Sequence, residues 1–140
     1  GRSLGFGCAI ASVCEITIAA ESARFELPEM GHNIIHTMGM SSLIDRLGRK
    51  GALYLTYSTE EIDAQTALAY GLVSRVVPDD RLDAQLEMVC AALDKAPLAA
   101  VLSVKEYATN AITMSVEQAS DFARNMHSAV NTSSGMMGNK

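Results

Sequence analysis

Leu4-Gly5-Phe6-Gly7-Cys8-Ala9-Ile10-Ala11-Ser12-Val13-Cys14 is the stretch from which the rest of the chain is read. Two glycines bracket one residue, and small or apolar residues follow with no charge until Glu15. This pattern predicts a short buried helix over Gly5–Cys14, started by glycine and too uniformly apolar to be amphipathic. A helix start leaves backbone N–H groups without intrahelical acceptors. Those donors, with the helix dipole behind them, favour an anion or a developing oxyanion. A glycine turn that opens a helix normally follows a strand. None is evident before Gly5, so the chain reads as a fragment.

Composition narrows the class. The 140 residues are 49% hydrophobic and 19% charged with a net charge of -5, enough for one domain with a real core. The acidic balance argues against nucleic-acid binding, which wants a basic face. No run approaches the roughly 18 apolar residues of a membrane span, and no basic segment opens the chain. Cys8, Cys14 and Cys90 form no paired framework and read as reduced thiols of a cytoplasmic protein.

Outward from the helix, Glu15–Ala20 alternates and is rich in β-branched residues, which predicts a strand. Arg24-Phe25-Glu26 reads as a second short strand, and Pro28 ends pairing because it has no N–H for the ladder. Residues 29–37 lack periodicity and read as a loop. Met40, Leu43, Ile44 and Leu47 have helical spacing within Met38–Leu47, with Gly48 as the stop. Ala52–Tyr57 suggests another short helix. Asp63 can cap a helix over Ala64–Tyr70, with Gly71 suited to its end. Leu72–Val77 then reads as a strand stopped by Pro78.

Beyond Pro78 the pattern is wholly helical. Leu82, Leu86, Val89, Cys90 and Leu93 make one stripe. Pro97 sits in the first turn of a helix reaching about Ala111. Ser115-Val116-Glu117-Gln118 is a capping box for a last helix through about Ser128, and the polar tail over 131–140 is expected to fray. The fold class is α/β in front and all-helical behind, with segments 1–78, 79–130 and 131–140.

Alone, neither the glycine turn nor the Pro28-Glu29 pair is specific. Together they form a longer pattern: Leu4-Gly5-Phe6-Gly7-Cys8, then Cys14-Glu15-Ile16-Thr17-Ile18-Ala19-Ala20-Glu21, then Ala23-Arg24-Phe25-Glu26-Leu27-Pro28-Glu29. Ile62-x-Ala64, Ala67-x-x-x-Gly71-Leu72-Val73 and Val76-Val77-Pro78 follow at a matching separation. The pattern resembles the crotonase (enoyl-CoA hydratase/isomerase) superfamily over most of Leu4 to Pro78. The resemblance implies the C-terminal part of a crotonase-like spiral of ββα units in 1–78 and a helical oligomerisation region in 79–130. A homotrimer or hexamer would follow. It implies an acyl-CoA thioester as substrate, and no cofactor beyond the coenzyme A that the substrate carries. The thioester carbonyl would lie between two backbone N–H groups, one from Phe6 and one from residues outside this chain. By position, Glu29 matches the family's second catalytic glutamate, and Gly5, Gly7, Pro28, Met30 and Gly31 would line the substrate site.

Two departures bear on the chemistry. Phe6 stands where the family has its middle glycine, which keeps the amide but narrows the backbone's freedom. Ala9 stands at the hydratases' first catalytic glutamate and can do no acid–base work. A single glutamate either serves both steps of hydration or shuttles a proton in isomerisation. Other readings stay open beside this one. Gly1-Arg2-Ser3-Leu4-Gly5 fits a nucleophile elbow, with Ser3 as nucleophile of an α/β-hydrolase and His36 or His127 completing a triad. His32 and His36 have the spacing of a helical zinc pair without its glutamate; no metal is expected. Arg49 and Lys105 are candidates for CoA phosphates. A non-catalytic protein of the same fold that binds acyl-CoA or only assembles is the remaining alternative.

Overall fold

In the computed structural model, which describes residues 1–137, the chain enters its glycine turn from a strand after all. β1 (Arg2–Leu4) pairs in parallel with β3 (Arg24–Glu26), with Ser3 opposite Phe25. Three residues between two glycines carry no readable period; the partner makes them a strand. β3 pairs on its other side with β4 (Ile62–Asp63), antiparallel, so the sheet order is β1-β3-β4. A separate parallel pair joins β2 (Ile18–Ala20) to β5 (Arg75–Val77).

Both strands of that pair are shorter than their sequence runs suggest. Thr17 and Ser74, just before them, are held by side chains: Thr17 N–H donates to Ser74 Oγ at 3.1 Å, and Thr17 Oγ1 donates to Ala11 C=O at 2.6 Å. The strands begin where this stitching ends.

α1 (Phe6–Val13) follows β1 directly. It is not a buried helix. Cys8 and Ser12, one turn apart, are buried, whereas Phe6, Ile10 and Val13 are exposed. The face carrying Cys8 and Ser12 meets α2 (Thr37–Leu43), where Ser12 Oγ lies 3.2 Å from both Ser42 C=O and Ser42 Oγ. Helix α2 stops at Leu43, and Gly48, with φ of 68°, opens α3 (Gly48–Ser58) rather than ending a helix. α4 (Ala64–Tyr70) forms as expected: Asp63 accepts from Thr66 N–H at 2.8 Å, and Gly71 ends the helix at φ 81°. That hydrogen bond holds the Asp63 carboxyl below its usual range.

The chain divides into two compact units, Gly1–Leu86 and a second from Glu87 onward. The first contains both sheets and one apolar core, in which Cys8, Leu27, Leu43 and Leu55 are fully enclosed. The second is helical. α5 (Leu82–Lys95) leads into it, and α6 (Leu98–Ala111) packs on α7 (Val116–Asn131) with Tyr107 and Phe122 stacked at 5.8 Å. The capping box is formed in both directions, Gln118 N–H to Ser115 Oγ at 3.2 Å and Ser115 N–H to Gln118 Oε1 at 3.0 Å. The tail expected to fray from 131 instead closes a short helix, α8 (Ser134–Met137), against α6 and α7. Gly135 suits that close approach: a Cβ there would stand 3.2 Å from Ala99 Cβ. Residues 138–140 lie outside the described residues. Among those described, no helix is long and apolar enough to cross a membrane.

Candidate active site at the strand–helix turn

Gly5 belongs to two structures at once. Its N–H donates to Glu26 C=O at 2.9 Å, adding a rung beyond β1, and its C=O accepts the first helical bond, from Ala9 N–H at 3.0 Å. Changing from ladder to helix within one residue takes φ 51°, ψ −116°, a conformation open to glycine and strained for a residue with a Cβ. The next amide, Phe6 N–H, lies in the first turn of α1 and has no intrahelical acceptor. Phe6 itself is unstrained: it has entered the helix, and the left-handed backbone falls on Gly5. The phenylalanine therefore does not strain the turn, and the residue is largely exposed.

Glu29 returns to the same place. Leu27 is buried, and Pro28 starts a 3-10 turn over Glu29–His32. Gly31 N–H donates to Pro28 C=O and Ile34 N–H to Glu29 C=O, both at 3.0 Å, with Asn33 left-handed at φ 59°. Of the stretch that reads as a loop over 29–37, residues 29–33 form a hydrogen-bonded turn, 34–36 are irregular and Thr37 begins α2. The turn brings the Glu29 carboxylate over Gly5: a Cβ built on Gly5 would lie 2.8 Å from Glu29 Oε1. The backbone angle favours glycine here, and a side chain would also displace the carboxylate. Gly5→Ala is expected to cost about 1–3 kcal/mol from the backbone alone. A denaturant melt checks this, and an unchanged midpoint would contradict it.

The second carboxylate oxygen faces inward. His36, whose side chain is 6% exposed, places Nδ1 3.1 Å from Glu29 Oε2. The pair is within ion-pair range but off the line of a hydrogen bond. Oε2 and the ring's Nε2 are accordingly buried without a hydrogen-bond partner among the described residues. The ring lies against α2, where a Cβ on Gly39 would overlap it. Also near Glu29 is the Cys8 thiol, pushed up to about 12 by burial and then by the Glu29 charge. It is a neutral, packed thiol. The metal pairing of His32 with His36 does not form a site: His32 is exposed, and no group of three metal-ligating side chains occurs among the described residues.

Of the other sequence candidates, Gly7 takes a Cβ at ordinary contact with Ser3 Oγ, 3.5 Å, and Gly31 likewise beside Thr59, 3.7 Å. Among Gly5, Gly7 and Gly31, only Gly5 lacks room for a Cβ. Pro28 shapes the turn, and Met30 projects into solvent. Ser3 is paired within β1, not placed on the turn as an elbow nucleophile requires. Phe6, Ala9, Ile10 and Val13 of α1 face Met38 and Ser42 of α2 across an apolar cleft of about 260 Å³. Ala9 presents a methyl group there. The contact of His36 with Glu29 was not foreseen; its only trace in the sequence is a glycine three residues after a histidine that opens a helix.

Residues 1–138 match the enoyl-CoA hydratase/isomerase family. The chain is 33% identical over 134 residues to a probable enoyl-CoA hydratase of Mycobacterium bovis, covering 94% of this chain and 52% of that protein. With the short-chain-enoyl-CoA hydratase of Clostridium acetobutylicum it shares 38% identity over 105 residues, covering 74% and 40%. An enoyl-CoA hydratase structure from Mycobacterium smegmatis superposes with a TM-score of 0.88 at 26% identity, over 94% of this chain and 51% of that one. A Thermobifida fusca protein assigned to the enoyl-CoA hydratases, solved with CoA and with acetoacetyl-CoA, gives 0.84 at 28%, over 92% and 51%. The chain spans about half the length of the curated relatives it matches, or somewhat less. Motifs, fold and family match agree, and the chain belongs to the enoyl-CoA hydratase/isomerase family of the crotonase superfamily.

Proposed function

We propose that the full-length protein binds an acyl-CoA thioester with its carbonyl on Phe6 N–H, and that Glu29 moves protons at the neighbouring carbons. The observation that carries this reading is the approach of Glu29 Oε1 to Gly5, one residue from that N–H. A base and an oxyanion donor then address adjacent atoms of one substrate. Removing a proton beside the thioester sends its electron pair toward the carbonyl oxygen, where the amide and the helix behind it stabilise the enolate. The second donor lies in the part of the protein outside this chain. The acyl chain enters the apolar cleft beside Ala9.

Two reactions follow from one carboxylate. In isomerisation, Glu29 takes a proton from C2 of a 3-enoyl thioester and returns it at C4 as the double bond moves into conjugation. In hydration, Glu29 takes a proton from water as the oxygen bonds to C3 of a 2-enoyl thioester, then delivers it to C2. Ala9 removes the second carboxylate that would divide hydration between two groups, so we favour isomerisation. The full-length protein should be incubated with 2-enoyl and 3-enoyl CoA thioesters in ¹⁸O-labelled water. A double bond that shifts without uptake of label is the expected result. Label at C3 means hydration instead, and no turnover of any ester would leave a protein that only binds acyl-CoA. The exposed apolar residues of α5, Leu86 and Leu93, are proposed as assembly surface for a homotrimer or hexamer.

A further inference from the structure

We propose that His36 is a positioning residue for Glu29, holding Oε2 so that Oε1 is the oxygen that takes and returns the proton. This rests on the reading of Glu29 as the proton carrier. The two oxygens of this carboxylate are in different surroundings. Oε1 stands over Gly5 at the turn, whereas Oε2 is buried with His36 Nδ1 3.1 Å away. The 3-10 turn fixes the backbone of Glu29 through Ile34 N–H, and three side-chain torsions remain to be set. The contact of His36 with Oε2 acts on the last of them, the one that decides which oxygen faces the turn.

His36 is itself fixed. It opens α2, its C=O accepts from Met40 N–H at 2.8 Å, and its ring is seated in the space left by Gly39. α2 in turn is joined to α1 by Ser12 and Ser42 and by the fully buried Leu43. The helix that presents Phe6 N–H and the helix that His36 opens are therefore packed together, with the Glu29 carboxylate reaching Gly5 at the start of one and His36 at the start of the other. Hydrogen bonds of this kind are often poorly aligned in an empty site and tighten when substrate binds. The arrangement requires the proton on Nδ1, since a lone pair there would face a carboxylate.

The test uses the full-length protein and the enoyl thioester that it turns over. His36→Phe keeps a planar ring without a donor, and His36→Asn can place an amide N–H near the Nδ1 position. Because small misplacements of a reacting group cost about 10²-fold, His36→Phe is expected to lose about 10²-fold in kcat with KM little changed. His36→Asn should recover most of the loss. Equal loss in both folded variants, a kcat unchanged in His36→Phe, or an effect on KM alone would overturn the proposal. ¹⁵N NMR of the wild-type imidazole needs no variant: a proton on Nδ1 is expected, and a neutral ring protonated only on Nε2 would overturn it. Glu29→Gln separates the two levels. If Glu29→Gln is inactive and His36→Phe is not impaired, the role of His36 fails alone; if Glu29→Gln is active, the underlying reading fails.

Discussion

Replacing Glu29 by Gln in the full-length protein is expected to lower kcat by about 10²–10⁴-fold, the range for loss of a general acid–base group, with little change in affinity for the CoA ester. Gln keeps the volume and the planar end of the side chain, so the turn over Gly5 and the cluster of Cys8 and His36 stay packed. What is lost is the proton-carrying oxygen. On the proposed function the effect belongs in kcat, because the carboxylate would act on the reacting carbons while the ester's affinity would come from the CoA portion and the apolar cleft. Turnover within a few-fold of wild type would remove Glu29 from the chemistry. A large rise in KM at constant kcat would make it a binding group instead.

The second large effect concerns a donor with no side chain to mutate. Phe6→Pro deletes the Phe6 N–H together with the ring. Phe6 is the first helical residue after Gly5, the position where proline is most favoured, and its N–H is one of those with no intrahelical acceptor to lose. Its ring is 79% exposed, so the core does not miss it. The expected loss in kcat is about 10²–10³-fold, as for removal of one oxyanion donor. Phe6→Ala keeps the amide and is the control, with turnover close to wild type. If both variants lose activity alike, the ring and not the amide contributes. If neither does, the carbonyl sits elsewhere.

Local chemistry was legible wherever it was self-contained. Asp63 and Gly71 mark both ends of α4 because an acceptor side chain and a left-handed glycine act on their own backbone neighbours. The same holds for Ser115 and Gln118 at the start of α7. Glu29 and the Gly5 turn were legible too, but only as a pair of motifs at a familiar separation. Features that depend on a partner distant in sequence were not. Arg2–Leu4 is a strand because Arg24–Glu26 lies beside it. α1 has an open face because Cys8, Ala11 and Ser12 turn inward while Phe6, Ile10 and Val13 do not, although its composition is apolar nearly all round. The placing of His36 against Glu29 was hidden for a local reason. The turn that folds residues 29–33 back is set by a left-handed Asn33 and by hydrogen bonds to Pro28, Glu29 and Met30, which no period in the sequence announces.

The central claim is that Phe6 N–H and Glu29 act on one thioester. A crystal structure of the full-length protein with acetoacetyl-CoA bound tests it most directly. The account predicts the thioester oxygen about 2.7–3.1 Å from Phe6 N, with Glu29 Oε1 facing C2. A thioester whose oxygen points away from Phe6 N, or whose C2 is out of reach of Glu29, would contradict it.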